Sequence, residues 1–450
     1  MYFQIYKNIL GPFFEKVIKK RKMYDYLKFL KESQRWSNEQ LKDYQWNELK
    51  KLLLHSYEQV PYWKDIFNKL GISLDDIRNH EDFRKLPIIT KENIRTNKYR
   101  MISNNLRGKT WTKATGGSTG VPLELDYTPD SYDWRVACSK RGYAWAGSED
   151  GVKQGYIWGV AIGKVSKKQY FKELIHHAVL RQKYFNCFEF NEEKMKECLD
   201  KLNKFKPEIL VGYTNPLCNF AQFVKNNGKL NFKPKGIISA AEKLHEYQRE
   251  IINEVFDCPV FNTYGSREFM LIASECERHE GLHINSENLL VEIIKDDGTP
   301  AKNGELGNIV ITDLHNYGMP FIRYQIGDMA IASDKVCSCG RGLPMLADVV
   351  GRRLDMIKTP DGRNIPGEFF PHLMKEFKAV KQFQVVQDKI DELVITIVKE
   401  KDLRDSDFEF MSKEILKVVG EQIKIDFKFV DEIPLTKTGK HRVTISNLEQ

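Results

Sequence analysis

The loop from Thr115 to Pro122, Thr-Gly-Gly-Ser-Thr-Gly-Val-Pro, constrains the fold of this 450-residue chain more than any other stretch. Its glycines let successive backbone N–H groups converge on one point and its hydroxyl side chains add donors, which suits a polyphosphate. No Lys-Ser or Lys-Thr pair follows the last glycine and no helix is predicted there, which excludes a mononucleotide P-loop and a dinucleotide fingerprint. Because Pro122 and an alternating run at 123–128 follow, the pattern predicts a hairpin turn between strands. The same composition also fits a plain turn.

Bulk properties indicate a globular protein of two or three domains. The net charge of +8 is spread along the sequence with an excess near the N-terminus, which does not imply nucleic acid and is compatible with anionic substrates such as nucleotides. No apolar run is long enough to span a bilayer, and an early Lys7 without a small-residue cleavage site argues against a signal peptide. The eight cysteines are mostly isolated, as is typical of cytosolic thiols. We therefore expect a cytoplasmic protein.

The first 22 residues combine five aromatic side chains with a basic run at 19–22. A helix here would be amphipathic and basic. One interpretation is a peripheral contact with a membrane surface, which would place the protein near a membrane. The other is a helix that packs on its own domain and leaves a solvated basic end, and the sequence does not decide between them.

Short apolar runs alternate with helical patterns over most of the chain, which predicts an α/β fold. The predicted strands lie at 156–159, 208–212, 235–240, 259–264, 288–294, 307–312 and 321–324. A small α+β module is predicted from about 356, with strands at 383–386, 393–398 and 423–430 and a helix at 407–419. Small residues end the run at 235–240, and ligands of open α/β sheets bind at such strand ends.

Three motifs downstream of the glycine-rich loop carry groups that a nucleotide needs. Tyr264 begins a Tyr-Gly-Ser-Arg-Glu run after a predicted strand, so its ring can stack on a base, and Glu268 can hold Mg²⁺ bound to phosphates. Asp328 follows a predicted strand and a glycine turn, where its carboxylate can accept hydrogen bonds from both ribose hydroxyls. Lys440 lies in a Gly-Lys turn that can bring one cation into a site. Each motif alone is common, and their combination favours a nucleotide site.

With these motifs the chain resembles the adenylate-forming superfamily of acyl-CoA synthetases, adenylation domains and luciferases. Within it, the chain is most similar to the branch of phenylacetate-CoA ligase and the CapK-type capsule-biosynthesis proteins. The resemblance runs from about Leu49 to about Val443, and it includes 55–62, 85–91 and 351–357. It implies a large, multi-subdomain AMP-binding domain at 49–354, preceded by a helical extension at 1–48 and followed by a small mobile α+β domain at 355–450.

The resemblance also implies a two-step reaction. A carboxylate attacks the α-phosphate of ATP, and a nucleophile then takes the acyl group and releases AMP. Two anions must meet in the first step, so charge has to be neutralised where it accumulates, and a lysine, Mg²⁺ and backbone donors can do that. The acyl acceptor would be CoA, an amine, a sugar or a carrier protein acting in trans, with the sugar and amine suggested by the polysaccharide pathways of CapK-type proteins.

The family's roles map onto this sequence as follows. The phosphates would be held by Thr115, Gly116, Gly117, Ser118, Thr119 and Gly120. The adenine and acyl pocket would be lined by Ser239, Ala240, Ala241 and Glu242. Tyr264 and Gly265 would hold adenine, Glu268 would bind Mg²⁺, Asp328 the ribose, and Lys440 the transferring oxygens. Thr115, Glu268 and Lys440 would be catalytic, and Asp355 would be the hinge of the small domain.

Cysteine and histidine side chains form two short clusters, the first with Cys276, His279 and His283, the second with Cys337 and Cys339. Thiolate and imidazole ligands suit tetrahedral zinc, although Cys-x-Cys is tighter than the common finger and buried thiols remain an equal alternative on spacing alone. The branch's Cys, Gly-Leu-His and Cys-x-Cys-Gly-Arg pattern implies a metal and selects His283 over His279. We expect a closed, structural zinc site.

The acyl substrate is not evident from the sequence. Aromatic and amide side chains that could line an acyl pocket are Trp134, Tyr143, Trp145, Tyr156, Trp158, Tyr213 and Asn215, and ordinary core packing is the alternative for most of them. A catalytically degenerate nucleotide-binding protein that acts as a scaffold in a polysaccharide assembly is the competing function. The presence of Glu268, Asp328 and Lys440 favours the enzyme.

Overall fold

The structure is a computed structural model of the chain. It describes residues 2–114, 123–159, 175–187, 190, 192–352, 356–362, 364–366, 369–374, 377, 379–399, 404–434 and 443–448. Two compact units divide the chain. The first comprises Met1–Leu244, Arg249–Ile326 and Ala330–Val349, and the second comprises His245–Gln248, Gly327–Met329 and Val350–Gln450. The α/β class and the small C-terminal module agree with the sequence-based prediction.

Helices make up most of the chain before residue 110. The α-helices up to residue 256 are α1 (Tyr2–Ile5), α2 (Met23–Ser33), α3 (Asn38–Gln59), α4 (Pro61–Leu70), α5 (His80–Phe83), α6 (Lys91–Met101), α7 (Pro129–Trp145), α8 (Glu192–Phe205), α9 (Thr214–Asn227) and α10 (Glu246–Phe256). Turns of π-helix at Tyr6–Leu10 and Phe13–Ile18 continue α1, and 3₁₀ turns lie at Leu74–Asp76 and Asn104–Leu106.

Local capping explains where these helices begin and end. Thr90 accepts a hydrogen bond from the Asn93 amide while the Asn93 side chain accepts from the Thr90 amide, and this capping box starts α6 as predicted. Pro61 occupies the first turn of α4, where its missing N–H costs nothing. Gly71 ends the same helix in the left-handed region, at φ 62°.

The strands of the first unit form a hairpin and a large mixed sheet. They are β1 (Trp111–Ala114), β2 (Glu124–Tyr127), β3 (Gln154–Trp158), β4 (Gln182–Asn186), β5 (Ile209–Tyr213), β6 (Gly236–Ala240), β7 (Val260–Ser266), β8 (Met270–Glu275), β9 (Leu282–Ile284), β10 (Leu289–Ile294), β11 (Leu306–Asp313), β12 (Tyr324–Ser333) and β13 (Met345–Arg352). Strands β1 and β2 pair antiparallel, so the predicted hairpin is confirmed on both sides of the glycine-rich loop.

The large sheet has eleven strands in the order β10-β11-β12-β13-β9-β8-β7-β6-β5-β3-β4. Its last five strands are parallel, and β7 and β8 are antiparallel. Every residue of β6 is buried and so are four of the five in β5, which is typical of parallel strands covered on both faces. The continuous apolar runs that predicted these strands have this physical origin.

Two buried ion pairs hold α7 against the antiparallel part of the sheet. The Arg135 guanidinium donates to Asp313 at 2.6 Å, and Arg141 donates to Glu287 Oε2 at 2.9 Å and to Asn285 Oδ1 at 2.7 Å. Because all of these side chains are buried, removing one partner would leave an uncompensated charge, at a cost of about 3–5 kcal/mol. These pairs therefore fix the position of α7 in the fold.

The second unit contains a four-stranded sheet and a covering helix. Its elements are β14 (Met356–Lys358), β15 (Asn364–Pro366), α11 (Phe369–Met374), β16 (Val380–Lys389), β17 (Glu392–Lys399), α12 (Asp405–Val419), β18 (Lys424–Phe429) and β19 (Thr444–Ser446). The order is β18-β17-β16-β19, and α12 links the parallel strands β17 and β18. The strands and helix predicted after residue 380 are confirmed.

The strand predicted at 321–324 is wrong, because β12 begins at Tyr324. Arg323 has a left-handed backbone, with φ 50°, which interrupts the regular extended conformation just before β12. Its guanidinium is buried, donating to Glu292 Oε2 at 3.1 Å and to the Leu86 carbonyl at 2.6 Å. These hydrogen bonds of Arg323 hold residues 321–323 outside the strand. The apolar side chains of Phe321 and Ile322 do not indicate such contacts in the sequence.

Candidate active site and metal cluster

Several predicted site residues lie outside the described residues. They are Thr115, Gly116, Gly117, Ser118, Thr119, Gly120, Asp355 and Lys440. The described residues on either side of the glycine-rich run are adjacent. Ala114 and Glu124 are paired across the β1–β2 ladder.

The ends of β5 and β6 lie side by side, with Tyr213 paired to Ala240. Just beyond, the hydroxyl groups of Thr214 and Ser239 are 2.6 Å apart, and Thr263 donates to the Ser239 carbonyl at 2.7 Å. Three neighbouring parallel strands are thereby linked at their carboxyl ends, the edge where open α/β sheets bind ligands. The structure thus places Ser239 and Ala240 where the sequence predicts a ligand edge.

Glu242 caps the helix that follows β5. Its Oε2 accepts a hydrogen bond from the Asn215 amide at 2.8 Å, and its carbonyl accepts from the Thr214 hydroxyl at 3.0 Å. A carboxylate at a helix N-terminus is favourable because it pairs with unsatisfied N–H groups. Ala241 takes a left-handed φ of 68° to turn the chain between Ala240 and this cap. The sequence motif therefore shapes the strand edge through its backbone as well as through its side chains.

Tyr264 and Gly265 lie inside β7, at a bulge opposite β8. The predicted position, directly after a strand, is therefore wrong by a few residues. A side chain on Gly265 would place its Cβ 2.3 Å from the Met270 carbonyl oxygen, so the close approach of the two strands requires glycine. The Tyr264 side chain is only 9% exposed and packs in the main core, which leaves a narrow part of the ring for a ligand.

Glu268 lies in the turn between β7 and β8 and is only 6% exposed. The Tyr324 hydroxyl donates to its Oε1 at 3.3 Å. Among the described residues no basic side chain forms an ion pair with Glu268. A buried carboxylate without a cationic partner is costly unless something positive meets it, so this position can hold a metal ion.

Asp328 lies within β12, whereas the sequence predicted a position after a strand. Gly327, directly before it, has a left-handed φ of 93°, so the predicted glycine turn exists as a local irregularity inside the strand. Asp328 itself is partly exposed.

Of the candidate acyl-pocket aromatics, two have structural roles elsewhere. Trp134 stacks on His315 with ring centroids 4.0 Å apart, and Trp145 packs edge-to-face on His283 at 5.4 Å. Trp158 and Tyr213 lie at the ends of β3 and β5 and contact each other at 4.5 Å, so they remain candidates at the ligand edge.

A second site gathers four of the predicted metal ligands. Cys276, His283, Cys337 and Cys339 place one ligand atom each within 4.8 Å of one another. The Cys276 and Cys337 sulfur atoms are 3.6 Å apart, and Cys339 Sγ is 3.4 Å from His283 Nε2. Such distances match the edges of a tetrahedron with metal–ligand bonds of about 2.0–2.3 Å. His279 is not among these ligands, since its Nδ1 lies 3.1 Å from Glu275 Oε2.

The surroundings orient these ligands. His283 Nδ1 faces the Leu343 carbonyl at 3.5 Å and Nε2 faces Cys339 Sγ at 3.4 Å, so the tautomer with its proton on Nδ1 directs the Nε2 lone pair at the thiols. The backbone amides of Arg278 and Arg341 donate to the sulfur atoms of Cys276 and Cys339 at 3.5 and 3.4 Å. N–H groups aimed at sulfur stabilise thiolates, so the chemistry of this donor set fits zinc.

Burial shifts the pKa values of three of the four groups, and hydrogen bonds oppose it at Cys339. Burial lowers the pKa of His283 to about 4, so its imidazole is neutral, as a metal ligand must be. Burial raises the pKa of Cys276 to about 12. Burial also opposes ionisation of Cys339, but hydrogen bonds from Arg341 bring its pKa below the usual thiol value. The Cys339 thiol therefore ionises more readily than an ordinary cysteine.

Comparison with known proteins gives a consistent answer. Residues 357–447 match the family model of the CapK C-terminal domain. The chain is 27% identical to Protein CapK of Staphylococcus aureus, over 86% of this chain and 85% of that protein. It is 23% identical to a phenylacetate-coenzyme A ligase of Thermus thermophilus, over 84% of this chain and 86% of that protein. A crystal structure of 2-hydroxyisobutyryl-CoA ligase in the postadenylation state superposes with a TM-score of 0.71 at 17% identity, over 89% and 88% of the two chains.

Relatives named CapK and phenylacetate-CoA ligase, together with the match of residues 357–447 to the CapK C-terminal domain, support the predicted branch of the adenylate-forming superfamily. The same relatives support the AMP-forming ligase that the sequence motifs predict. No helix among the described residues is long and apolar enough to cross a membrane.

Lys113, the β1 residue two positions before the glycine-rich run, is a further candidate site residue that the sequence motifs do not predict. Its ammonium group lies 5.2 Å from the ring centroids of both Tyr127 and Tyr132. Partial burial, and then the charges of Arg135 and Arg267, lower the pKa of Lys113. Arg267 belongs to the same motif as Glu268, so the charge of that motif acts on Lys113. A lone lysine in a strand gives no such signal in the sequence.

Proposed function

We propose that this ligase joins a small carboxylic acid to ATP as an acyl-adenylate and transfers the acyl group to coenzyme A. The observation that carries the proposal is Glu268, a buried carboxylate with no basic partner among the described residues. Acyl-CoA ligases among the relatives and structural neighbours support the same chemistry.

In the first step a carboxylate oxygen of the acid attacks the α-phosphorus of ATP. A new phosphorus–oxygen bond forms, the bond to the β-phosphate bridge breaks, and pyrophosphate leaves with the electron pair. In the second step the sulfur of CoA attacks the acyl carbon, AMP leaves, and the thiol proton passes to water. The first step requires no general base on the protein, because its carboxylate nucleophile is already ionised.

The chain's residues would orient the reactants and neutralise charge. Glu268 would hold Mg²⁺, which supplies positive charge to the triphosphate when bound. Backbone donors of the loop at 115–120 and the ammonium group of Lys113 would bind the phosphates. Ser239, Ala240 and Ala241 would form the floor of the adenine and acyl site, with Glu242 holding that edge in place.

Tyr264 would contact adenine through the exposed part of its ring, and Asp328 would accept the ribose hydroxyls. Lys440 would reach the α-phosphate from the small domain, and Asp355 would be the pivot on which that domain, at 355–450, turns between the two steps. These assignments rest on the motifs, and the role of each residue can be tested by a single substitution.

CoA is the acceptor that the ligase relatives favour. The match to the CapK C-terminal domain favours a second candidate, transfer to an amine or sugar in cell-surface polysaccharide synthesis. The two differ only in the second step, so they share the same adenylate. A scaffold without catalysis is the third outcome that an assay must distinguish.

The deciding experiment is ATP–pyrophosphate exchange with panels of aryl acids, fatty acids and amino acids. We expect exchange with at least one acid, and its loss in Lys440→Ala but not in Lys428→Ala, which removes an exposed lysine of the same domain. AMP release would then be compared with CoA, hydroxylamine or an amino sugar as acceptor. No exchange with any acid in the panel, despite ATP binding, would indicate the scaffold. Exchange that survives Lys440→Ala would contradict the role of that lysine.

We further propose that Cys276, His283, Cys337 and Cys339 hold a structural zinc ion. With four protein ligands such a site is closed and leaves no position for a substrate. When bound, zinc would join the strand region around β8 and β9 to the turn at 337–339. The four residues would contribute to stability and not to the chemical steps.

A further inference from the structure

Exposed apolar side chains are concentrated in the N-terminal segment, which we define as residues 2–22. Residues 2–18 form one helical stretch of mixed α and π turns, and a basic end follows. Seven large apolar residues along it are between 39% and 62% exposed. They are Ile5, Ile9, Leu10, Phe13, Phe14, Val17 and Ile18. A run of this kind on a folded protein marks a surface that binds something.

The spacing of these residues forms a stripe. Ile5, Ile9, Phe13 and Val17 recur every four residues, and so do Leu10, Phe14 and Ile18. Residues four apart lie on one face of a helix. The stripe is therefore continuous over about 20 Å at 1.5 Å per residue.

The segment is attached to the first unit by its opposite, mostly polar side. The Lys7 ammonium group lies 2.5 Å from Glu149, and Arg21 Nε donates to Asp133 at 2.6 Å. Tyr6 and Gly11 are buried on this side, and Gly11 approaches Tyr24 so closely that a Cβ would lie 2.3 Å from its hydroxyl. The segment therefore packs on its own unit and keeps a solvated basic end, as the second interpretation expects, but its apolar stripe stays exposed.

The charge of the segment indicates the partner. Residues 2–22 contain six basic residues and one acidic residue, Glu15. Glu15 is paired within the segment, with Lys19 at 3.0 Å and Arg21 at 3.1 Å. Lys20 and Lys22 are exposed beside the end of the apolar stripe, although Lys22 also pairs with Asp130 at 3.2 Å and Lys16 pairs with Asp25. An apolar stripe flanked by lysines fits an anionic lipid surface, where apolar side chains enter the headgroup boundary and ammonium groups meet phosphates.

A second copy of the chain fits less well. A two-fold contact through this stripe would bring two segments of the same positive charge together, which is unfavourable. We propose that the N-terminal segment binds flat on anionic lipid bilayers and places the ligase at a membrane surface. The inference does not depend on which acid or acceptor the enzyme uses.

Vesicle sedimentation of the full chain tests the proposal. We expect binding to vesicles of phosphatidylcholine with phosphatidylglycerol, and roughly tenfold weaker binding to phosphatidylcholine alone and at high salt. The triple variant Phe13→Ser, Val17→Ser, Ile18→Ser should lose binding, and Lys19→Gln with Lys20→Gln should weaken it on the anionic vesicles. The control Leu54→Ser with Leu70→Ser removes residues that are 48% and 45% exposed on α3 and α4, and it should bind as the wild type does.

Equal binding of the triple variant and the wild type would overturn the proposal. So would a wild-type dimer in sedimentation velocity that the triple variant converts to monomer, because the stripe would then be an interface between copies. Pyrophosphate exchange by the triple variant should equal that of the wild type, which confirms its fold and separates this test from the proposed function.

Discussion

The hydroxyl of Tyr324 donates a hydrogen bond to Glu268 across 3.3 Å, joining the start of β12 to the turn after β7. This contact orients a carboxylate that has little exposure to solvent. Tyr324 is itself fully buried, so the pair is part of the core and not a mobile surface contact. The position of the proposed magnesium ligand is thus determined by a residue 56 positions away in the sequence.

We expect Glu268→Gln to lower the rate of ATP–pyrophosphate exchange by roughly a hundredfold, because the amide keeps the shape but loses the charge that holds the cation. The Mg²⁺ concentration for half-maximal exchange should rise. Tyr324→Phe removes only one hydrogen bond, worth about 1 kcal/mol, and should reduce exchange by less than tenfold. Wild-type rate and Mg²⁺ dependence in Glu268→Gln would contradict the assignment.

Gly265→Ala should unfold the β7–β8 hairpin locally, because the new Cβ would meet the Met270 carbonyl oxygen at 2.3 Å. We expect a loss of roughly 2–3 kcal/mol in the free energy of unfolding, measured by urea denaturation, together with weaker ATP binding. Gly71→Ala is the control: its φ of 62° costs roughly 1 kcal/mol, but nothing lies within 4 Å of the new Cβ. Equal losses of unfolding free energy in the two variants would show that the close approach of β7 and β8 does not determine the cost of substituting Gly265.

Local patterns were sufficient for four of the five parallel strands and for the small C-terminal module, but β4 at Gln182–Asn186 was not predicted. The apolar run at 208–212 and the Thr90 cap depend on neighbours in the sequence, and both appear in the structure. The strand predicted at 321–324 failed because Arg323 is held by Leu86 and Glu292, which are distant in the sequence. Similarly, the capping role of Glu242 depends on Asn215, which only the adjacent strands bring near.

The structure brings the four candidate metal ligands together, whereas several predicted nucleotide-site residues lie outside the described residues. Cys276 and His283 were chosen from a family pattern, and the structure brings them to Cys337 and Cys339. Lys113 and the orientation of the N-terminal stripe were not predicted. The position of Lys113 and the orientation of the stripe depend on which face of a strand or helix packs inward. Alternation and helical spacing do not specify the inward face when polar groups form the contact.

The first unit should be less stable at acidic pH because of His315. Burial lowers the pKa of this residue, although Asp313, Glu48 and Asp130 oppose the shift. Its Nε2 donates to the Glu287 carbonyl at 3.1 Å, and Trp134 covers the ring, so a second proton is poorly accommodated. The unfolded chain takes up that proton near pH 6.5. Neutral His315 therefore contributes its full stabilisation above about pH 6.5. That stabilisation is lost as the pH falls below this value.

We expect the free energy of unfolding to decrease between pH 7 and pH 5 by up to about 1.4 kcal/mol per pH unit from this group. In His315→Gln the slope should be smaller, whatever the change in absolute stability. His176→Gln, which removes an exposed imidazole, should keep the wild-type slope. Urea denaturation at several pH values measures this, and an unchanged slope in His315→Gln would refute the explanation.

The cysteine and histidine cluster leads to a prediction about metal content. Protein purified without chelator should contain about one zinc ion per chain, and Cys337→Ala should lose it, since three ligands remain where a closed structural site needs four. Removing the metal with a chelator should lower the melting temperature by roughly 5 °C or more, because metal binding stabilises only the folded state. Cys218→Ala removes a buried thiol outside the cluster and should keep the zinc. If elemental analysis finds no metal and chelation leaves the melting temperature unchanged, the four residues form only a buried thiol–imidazole cluster, the alternative that their spacing left open.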